Sequence, residues 1–168
     1  MTLESGFFYF FAALAVVSAI VMITRRSAVH SAVALITTLL ATAGIFLQLE
    51  AEFLFVAQII LYVGGIMVLF IFVIMLVNLD VAARQIQFNR QAWIGGLLAL
   101  ALGAELLMAF RLGSGAFNLP ERSARSLQPN TELIGTALFQ RYMLPFEIAS
   151  VLLLVAMIGA VVLSKRKI

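Results

Sequence analysis

Of the eight acids in this 168-residue chain, two stand where an acid does more than keep a loop in water. Glu147 lies in Leu144-Pro145-Phe146-Glu147-Ile148-Ala149-Ser150, just inside the start of a long apolar run, and Glu105 interrupts another such run. A carboxylate in hydrocarbon must be protonated, hydrated or paired, and intramembrane acids mark proton relays. Glu147 is therefore a candidate proton relay, or a partner for a base on another subunit. The simpler alternative is an acid at a helix N-terminus, where the macrodipole favours negative charge and headgroup water is close. That simpler reading is the default. Glu105 sits deeper and argues for packing against protein, with Arg111 as a local counter-charge.

The other polar groups suggest less. His30 follows Arg26 and has no second ligand near it in sequence, so no metal site is indicated. Gln58 and Tyr62, four apart, are expected to share one helix face and to join an interhelical hydrogen bond. With no cysteine, disulfides and thiolate metal sites are excluded. No phosphate-binding glycine loop, no nucleophile–base pair and no soluble domain for a nicotinamide or flavin can be found. No catalytic, metal or cofactor-binding residue is expected in this chain.

The elements that must position these groups are membrane helices. The chain is 64% hydrophobic and 11% charged, against roughly 25% charged in an average soluble domain. Its apolar residues come in long charge-free blocks rather than in alternating porin-type strands, and a spanning helix needs about 20 residues. The fold class is all-α integral membrane protein, one membrane domain with five transmembrane helices. The spans are expected at 6–23, 29–49, 53–77, 92–110 and 145–164, with an outer loop at 113–144. Pro145 suits a first helical turn, having no N–H to leave unpaired. Within the loop, Leu133, Ile134, Ala137 and Leu138 recur at helical spacing opposite Glu132, Thr136 and Gln140, the pattern of a short amphipathic helix at the membrane surface. The chain opens Met1-Thr2-Leu3-Glu4-Ser5-Gly6 without the basic residues of a signal peptide, so the first block is expected to remain as a helix.

Lysine and arginine in short loops favour the cytoplasm. With the N-terminus outside, the inner side holds Arg25, Arg26, Arg84, Arg90, Lys165, Arg166 and Lys167, and the outer side holds Arg111, Arg122, Arg125 and Arg141. Seven against four supports N-out, C-in. The net charge of +3 is spread over several loops and suggests no nucleic-acid partner.

The third span is unusual. Its charge-free run of 27 residues would rise roughly 40 Å as a regular helix, against a hydrocarbon core of about 30 Å. Gly64-Gly65 falls near its middle, and each glycine weakens a helix by about 1 kcal/mol relative to alanine. One reading is close packing against a neighbouring helix. The sharper one is a departure from α geometry between Tyr62 and Phe70, as a bend or π-bulge, a feature that clusters at functional sites.

Three stretches carry a resemblance to a known family: the run from Val56-Ala57-Gln58 through Tyr62-Val63-Gly64-Gly65 to Leu69-Phe70, the run Pro145 to Leu154, and Val29-His30-Ser31-Ala32. In these the chain resembles subunit J of the proton-pumping NADH:quinone oxidoreductase, respiratory complex I, called chain 6 in mitochondria and chloroplasts. The likeness covers most of the chain. It implies a core membrane-arm subunit beside the quinone-site subunit and the small subunit K, in the bacterial cytoplasmic (inner) membrane among lipid. It further implies that NADH, FMN, iron–sulfur clusters and quinone belong to the whole complex and that no redox centre belongs to this chain. The family's third helix carries a π-bulge matching Tyr62 to Val68, and its rotation is thought to gate a water path. The resemblance thus implies a gating segment of Tyr62, Gly64, Gly65, Met67, Val68 and Phe70; many relatives have alanine where this chain has Gly65. Two alternatives stand beside this reading: a subunit of a multisubunit cation/proton antiporter, and a purely structural membrane-arm spacer.

Overall fold

A computed structural model of the protein describes residues 3–77, 92–113 and 130–165. The loop carrying Asp80, Arg84 and Arg90, the part of the expected outer loop with Pro120, Arg122, Arg125 and Pro129, and the basic end at Arg166 and Lys167 lie outside the described residues. The chain divides into two units, Met1–Arg125 and Ser126–Ile168.

Every regular element among the described residues is helical. In the first unit α1 spans Leu3–Thr24 and α2 spans Ala28–Gln48. A continuous third helix, α3, spans Glu52–Leu76, and α4 spans Ala92–Gly113. In the second unit α5 spans Asn130–Gln140 and α6 spans Met143–Ser164. Five of the six, all but α5, are long and apolar enough to cross a membrane. The helix α5 is the amphipathic element expected from the spacing of Leu133, Ile134, Ala137 and Leu138. It meets α6 through Phe139 and Phe146, whose rings lie edge to face at 5.3 Å.

The ends depart from expectation by a few residues. Helix α1 starts three residues before Gly6, taking Glu4 into its first turn, where an acid complements the exposed N–H groups. Helix α6 starts two residues before Pro145, which still falls within the first turn. Glu147 becomes the fifth residue of the helix and lies just beyond that turn, deeper than expected.

Packing in the first unit centres on α2. Helices α1 and α2 pair along their lengths, and α3 packs on α2. The side chains buried on α2 are all small: Ala32, Ala34, Ala41, Ala43 and Gly44. Lipid tails are as apolar as any side chain, so helices in a membrane associate by close fit, which small residues permit. A Cβ built on Gly44 would lie 2.6 Å from the Phe11 ring; the aromatic face of α1 rests directly on the backbone of α2. Nearer the Arg25 end, the Ser18 hydroxyl donates to Leu14 O at 2.6 Å and lies 2.8 Å from Thr38 Oγ1, a hydrogen bond across the same seam.

The α2–α3 turn closes with Glu50 at φ 59. The Ala51 N–H bonds Phe46 O and the Glu50 N–H bonds Leu47 O, the pairing of a Schellman motif. Glycine usually holds that left-handed position, and a residue with a Cβ costs about 1–2 kcal/mol more there. The turn sends α3 straight back along α2 after only three intervening residues, Leu49 to Ala51.

Candidate functional site

The centre of α3 is not an α-helix. From Gln58 to Met67, ten residues, the backbone is π-helical, with N–H groups bonded to carbonyls five residues back. Ala57 at φ −60, ψ −41 and Val68 at φ −62, ψ −47 are helical on either side, so the wide turns are inserted without breaking the rod. Wider turns rise less per residue and take up part of the length that an apolar run of this size has in excess.

The departure expected between Tyr62 and Phe70 is present, displaced towards the N-terminus. It opens at Gln58 and closes at Met67, so Val68 and Phe70 lie in the α-helical part that follows, Val68–Leu76. Gly64 and Gly65 occupy its second half. A Cβ on Gly64 would sit 3.4 Å from the Ile59 carbonyl oxygen, and one on Gly65 would sit 3.8 Å from that of Ile60; among the described residues, chain neighbours aside, no side chain is within 4 Å of either. Both glycines are exposed. They leave bare backbone on a surface that another helix can approach closely.

The expected gating residues are not gathered on one face. Met67 is 3% exposed and turns inward, in the packing of the π segment on α2. Tyr62, Val68 and Phe70 are exposed, Tyr62 at 50%. The shared face expected for Gln58 and Tyr62 is not seen either: Gln58 is buried at 9% while Tyr62 is exposed. The four-residue spacing predicts a shared face only where the turn is α-helical, and both residues lie in the π stretch. Gln58 and Met67, its first and last residues, are its two buried side chains, and the segment as a whole packs on α2.

Glu147 is exposed near the start of α6; its own backbone carbonyl accepts from the Ser150 hydroxyl at 2.7 Å. Glu105 and Arg111 are exposed on α4, which packs on no other described helix of its unit. The six-residue interval between them is not one that brings helix side chains together, so the local counter-charge expected for Glu105 is not supplied that way. His30 sits at the start of α2 with its Nδ1 3.0 Å from Ser27 Oγ. Among the described residues no three His, Asp or Glu side chains converge, and the chain has no cysteine, so its donor set does not fit an iron–sulfur cluster.

A ten-residue π segment with a glycine pair, on the third of five apolar helices, is a specific feature against which to place the chain among known proteins. Residues 18–163 match the family described as NADH-ubiquinone/plastoquinone oxidoreductase chain 6. The chain belongs to this family. Among chain 6 relatives, NADH-quinone oxidoreductase subunit J of Rhodobacter capsulatus is 40% identical over 99% of this chain and 84% of its own length. NADH-ubiquinone oxidoreductase chain 6 of Chondrus crispus is 34% identical, covering 99% and 85%. The F(420)H(2) dehydrogenase subunit J of Methanosarcina mazei is 33% identical, covering 97% and 92%. The family match and these relatives favour an oxidoreductase subunit over the antiporter alternative.

Sequence reasoning missed the seam between α1 and α2. Its signal was available in Ala34, Ala41 and Gly44 of α2, small residues seven and three apart that return to one side of the helix, with Ala32 and Ala43 on the opposite side.

Proposed function

We propose that this membrane subunit of NADH-quinone oxidoreductase couples quinone reduction to proton translocation through the π segment of α3. The observation that carries the reading is the ten-residue π stretch Gln58–Met67, packed on α2 with its end residues buried and its glycine pair exposed.

Passing from π back to α register skips one carbonyl, and an unpaired carbonyl in hydrocarbon costs several kcal/mol unless protein or water satisfies it. A stretch of this kind belongs against other subunits or a hydrated path rather than lipid. Removing one wide turn would rotate all that follows, so that Val68 and Phe70 would sweep around the axis while Gln58 kept its place on α2. A gate of this kind blocks water by apolar bulk and needs no titrating group of its own. Met67, inward in this state, is the side chain that such a rotation would release from the α2 seam.

The neighbours in this reading are the quinone-site subunit and subunit K, and the location is the bacterial inner membrane with the N-terminus outside. NADH, FMN, the clusters and quinone act in other subunits. The similarity to an F(420)H(2) dehydrogenase subunit leaves the electron donor to the subunits that bind it. Glu147 is an exposed helix-start acid whose use as a proton relay would require a path supplied by neighbouring chains.

The test is Gly64→Val in the assembled complex. A β-branched residue stiffens the backbone locally and fills the surface left open by the glycine. Complex abundance on native gels should stay near wild type, while quinone reductase turnover and the protons moved per electron pair should fall. Unchanged coupling in an assembled complex, or a regular α-helix through 58–67 in every resolved state, would instead support the spacer alternative.

A further inference from the structure

The face of the α1–α2 hairpin at its Arg25 end carries an open cleft of about 540 Å³. Its walls are Val17 and Val21 of α1 and Val33 and Ala34 of α2, and at its mouth stand Arg25 and His30. Ser18 and Thr37 also line it, but their hydroxyls are already committed. Thr37 Oγ1 donates to Val33 O at 3.1 Å; Ser18 Oγ bonds Leu14 O at 2.6 Å and lies 2.8 Å from Thr38 Oγ1. Below its mouth the cleft is therefore apolar in effect and offers a polar ligand no free donor.

The mouth is the reverse. Arg25 and Arg26 are exposed and form no salt bridge among the described residues. The acids of the hairpin and its turn, Glu4, Glu50 and Glu52, all lie at its opposite end, near the start of α1 and the end of α2. The Ser27 hydroxyl engages His30 Nδ1, which orients the ring and leaves Nε2 to a ligand. Thr37 lies seven residues below His30, about 10 Å along the axis, so the apolar trough runs well into the hydrocarbon layer.

One charged end above a dry trough of this length fits an amphiphile with an anionic head. A free phosphate would use the mouth alone. We infer that the α1–α2 cleft binds one anionic phospholipid, its phosphate on Arg25 and His30 and an acyl chain along Val17, Val21 and Val33. Basic pockets between membrane helices recognise phospholipid head groups in this way. The inference stands independently of the π-segment gate.

The test places a benzophenone photo-crosslinking residue at Val33, an exposed wall position, in the complete complex in host membranes. After irradiation the subunit is isolated and its adducts are weighed. Adducts of phosphatidylglycerol or cardiolipin, enriched over their share of the membrane, are expected. Arg25→Gln should reduce that enrichment about fivefold, the worth of one basic residue near an anionic head group. A protein adduct would show that a neighbouring subunit fills the cleft and would overturn the inference, as would lipid adducts that follow the bulk composition or an enrichment indifferent to Arg25→Gln. The adduct's identity is read with Arg25 intact, so the first arm is decisive even if R25Q fails to assemble.

Discussion

Replacing Gly44 by alanine should loosen the α1–α2 seam, and the geometry sets the size of the effect. The added methyl carbon would lie 2.6 Å from Phe11 Cε1, 2.7 Å from Cδ1 and 2.8 Å from Cζ. Carbon atoms rest about 3.5–4.0 Å apart, so the ring must retreat by about 1 Å. It is hemmed in by Phe10, whose ring meets it edge to face at 5.4 Å, so the retreat disturbs a second contact. Forcing a methyl into a filled seam costs about 1–3 kcal/mol. Shortening the ring by Phe11→Leu vacates the space the methyl needs, so the double variant should recover much of that cost. The coupling between the two changes should reach at least about 1 kcal/mol, roughly fivefold in the opening equilibrium. Amide hydrogen exchange in α1 and α2, measured by mass spectrometry on the solubilised complex, reads this directly, with α6 as an internal control. Simple additivity of the two substitutions, or exchange in G44A equal to that of the unaltered protein, would refute the packing argument.

Glu147→Gln should leave assembly and coupled pumping intact, because the side chain is exposed near a helix start and its amide still accepts hydrogen bonds; a normally assembled complex that had lost pumping would make it a proton relay. Cysteines at Ser5 and Ser123 should react with an impermeant thiol reagent added outside intact cells, and one at Ser164 only after the membrane is opened. The opposite pattern would reverse the N-out orientation. Glu50→Gly should stabilise the α2–α3 turn by about 1 kcal/mol, seen as slower exchange at the end of α2, since glycine enters φ 59 without a Cβ penalty.

The spans were legible because charge and Gly/Pro punctuation mark where a chain can leave hydrocarbon. Arg25-Arg26 and the Glu50–Glu52 turn bracket α2 within a residue or so of its observed ends. The faces were not legible. Helices α1 and α3 are apolar nearly all round, so periodicity carries no instruction about which side meets protein; that information lies in residue size, in the alanines of α2 and in Gly44. The π segment was half legible. The glycine pair and the excess length pointed to the middle of α3, but nothing about Gln58 marks it as the residue where the register changes. The boundary coincides with the two buried side chains, Gln58 and Met67, and burial by a neighbouring helix is not written in local spacing. For the candidate site, this separates Met67, held inward, from the exposed Tyr62, Val68 and Phe70, a division that a family motif does not convey.

The committed hydroxyls along α1 and α2 have a consequence for how a copy of this chain fares in the cell. Helices α1 and α2 are joined by three residues and share a seam of small side chains and a Ser18–Thr38 bond, so they can pair as soon as both have left the ribosome. By contrast, α4 packs on no other described helix of its unit, and α6 buries no side chain within its own unit. A newly made copy thus carries a packed set of α1, α2 and α3, while α4 and α6 keep faces for other subunits to cover. Its lifetime outside the assembly should be governed by membrane proteases, and the supply of its neighbours should limit how much of it accumulates.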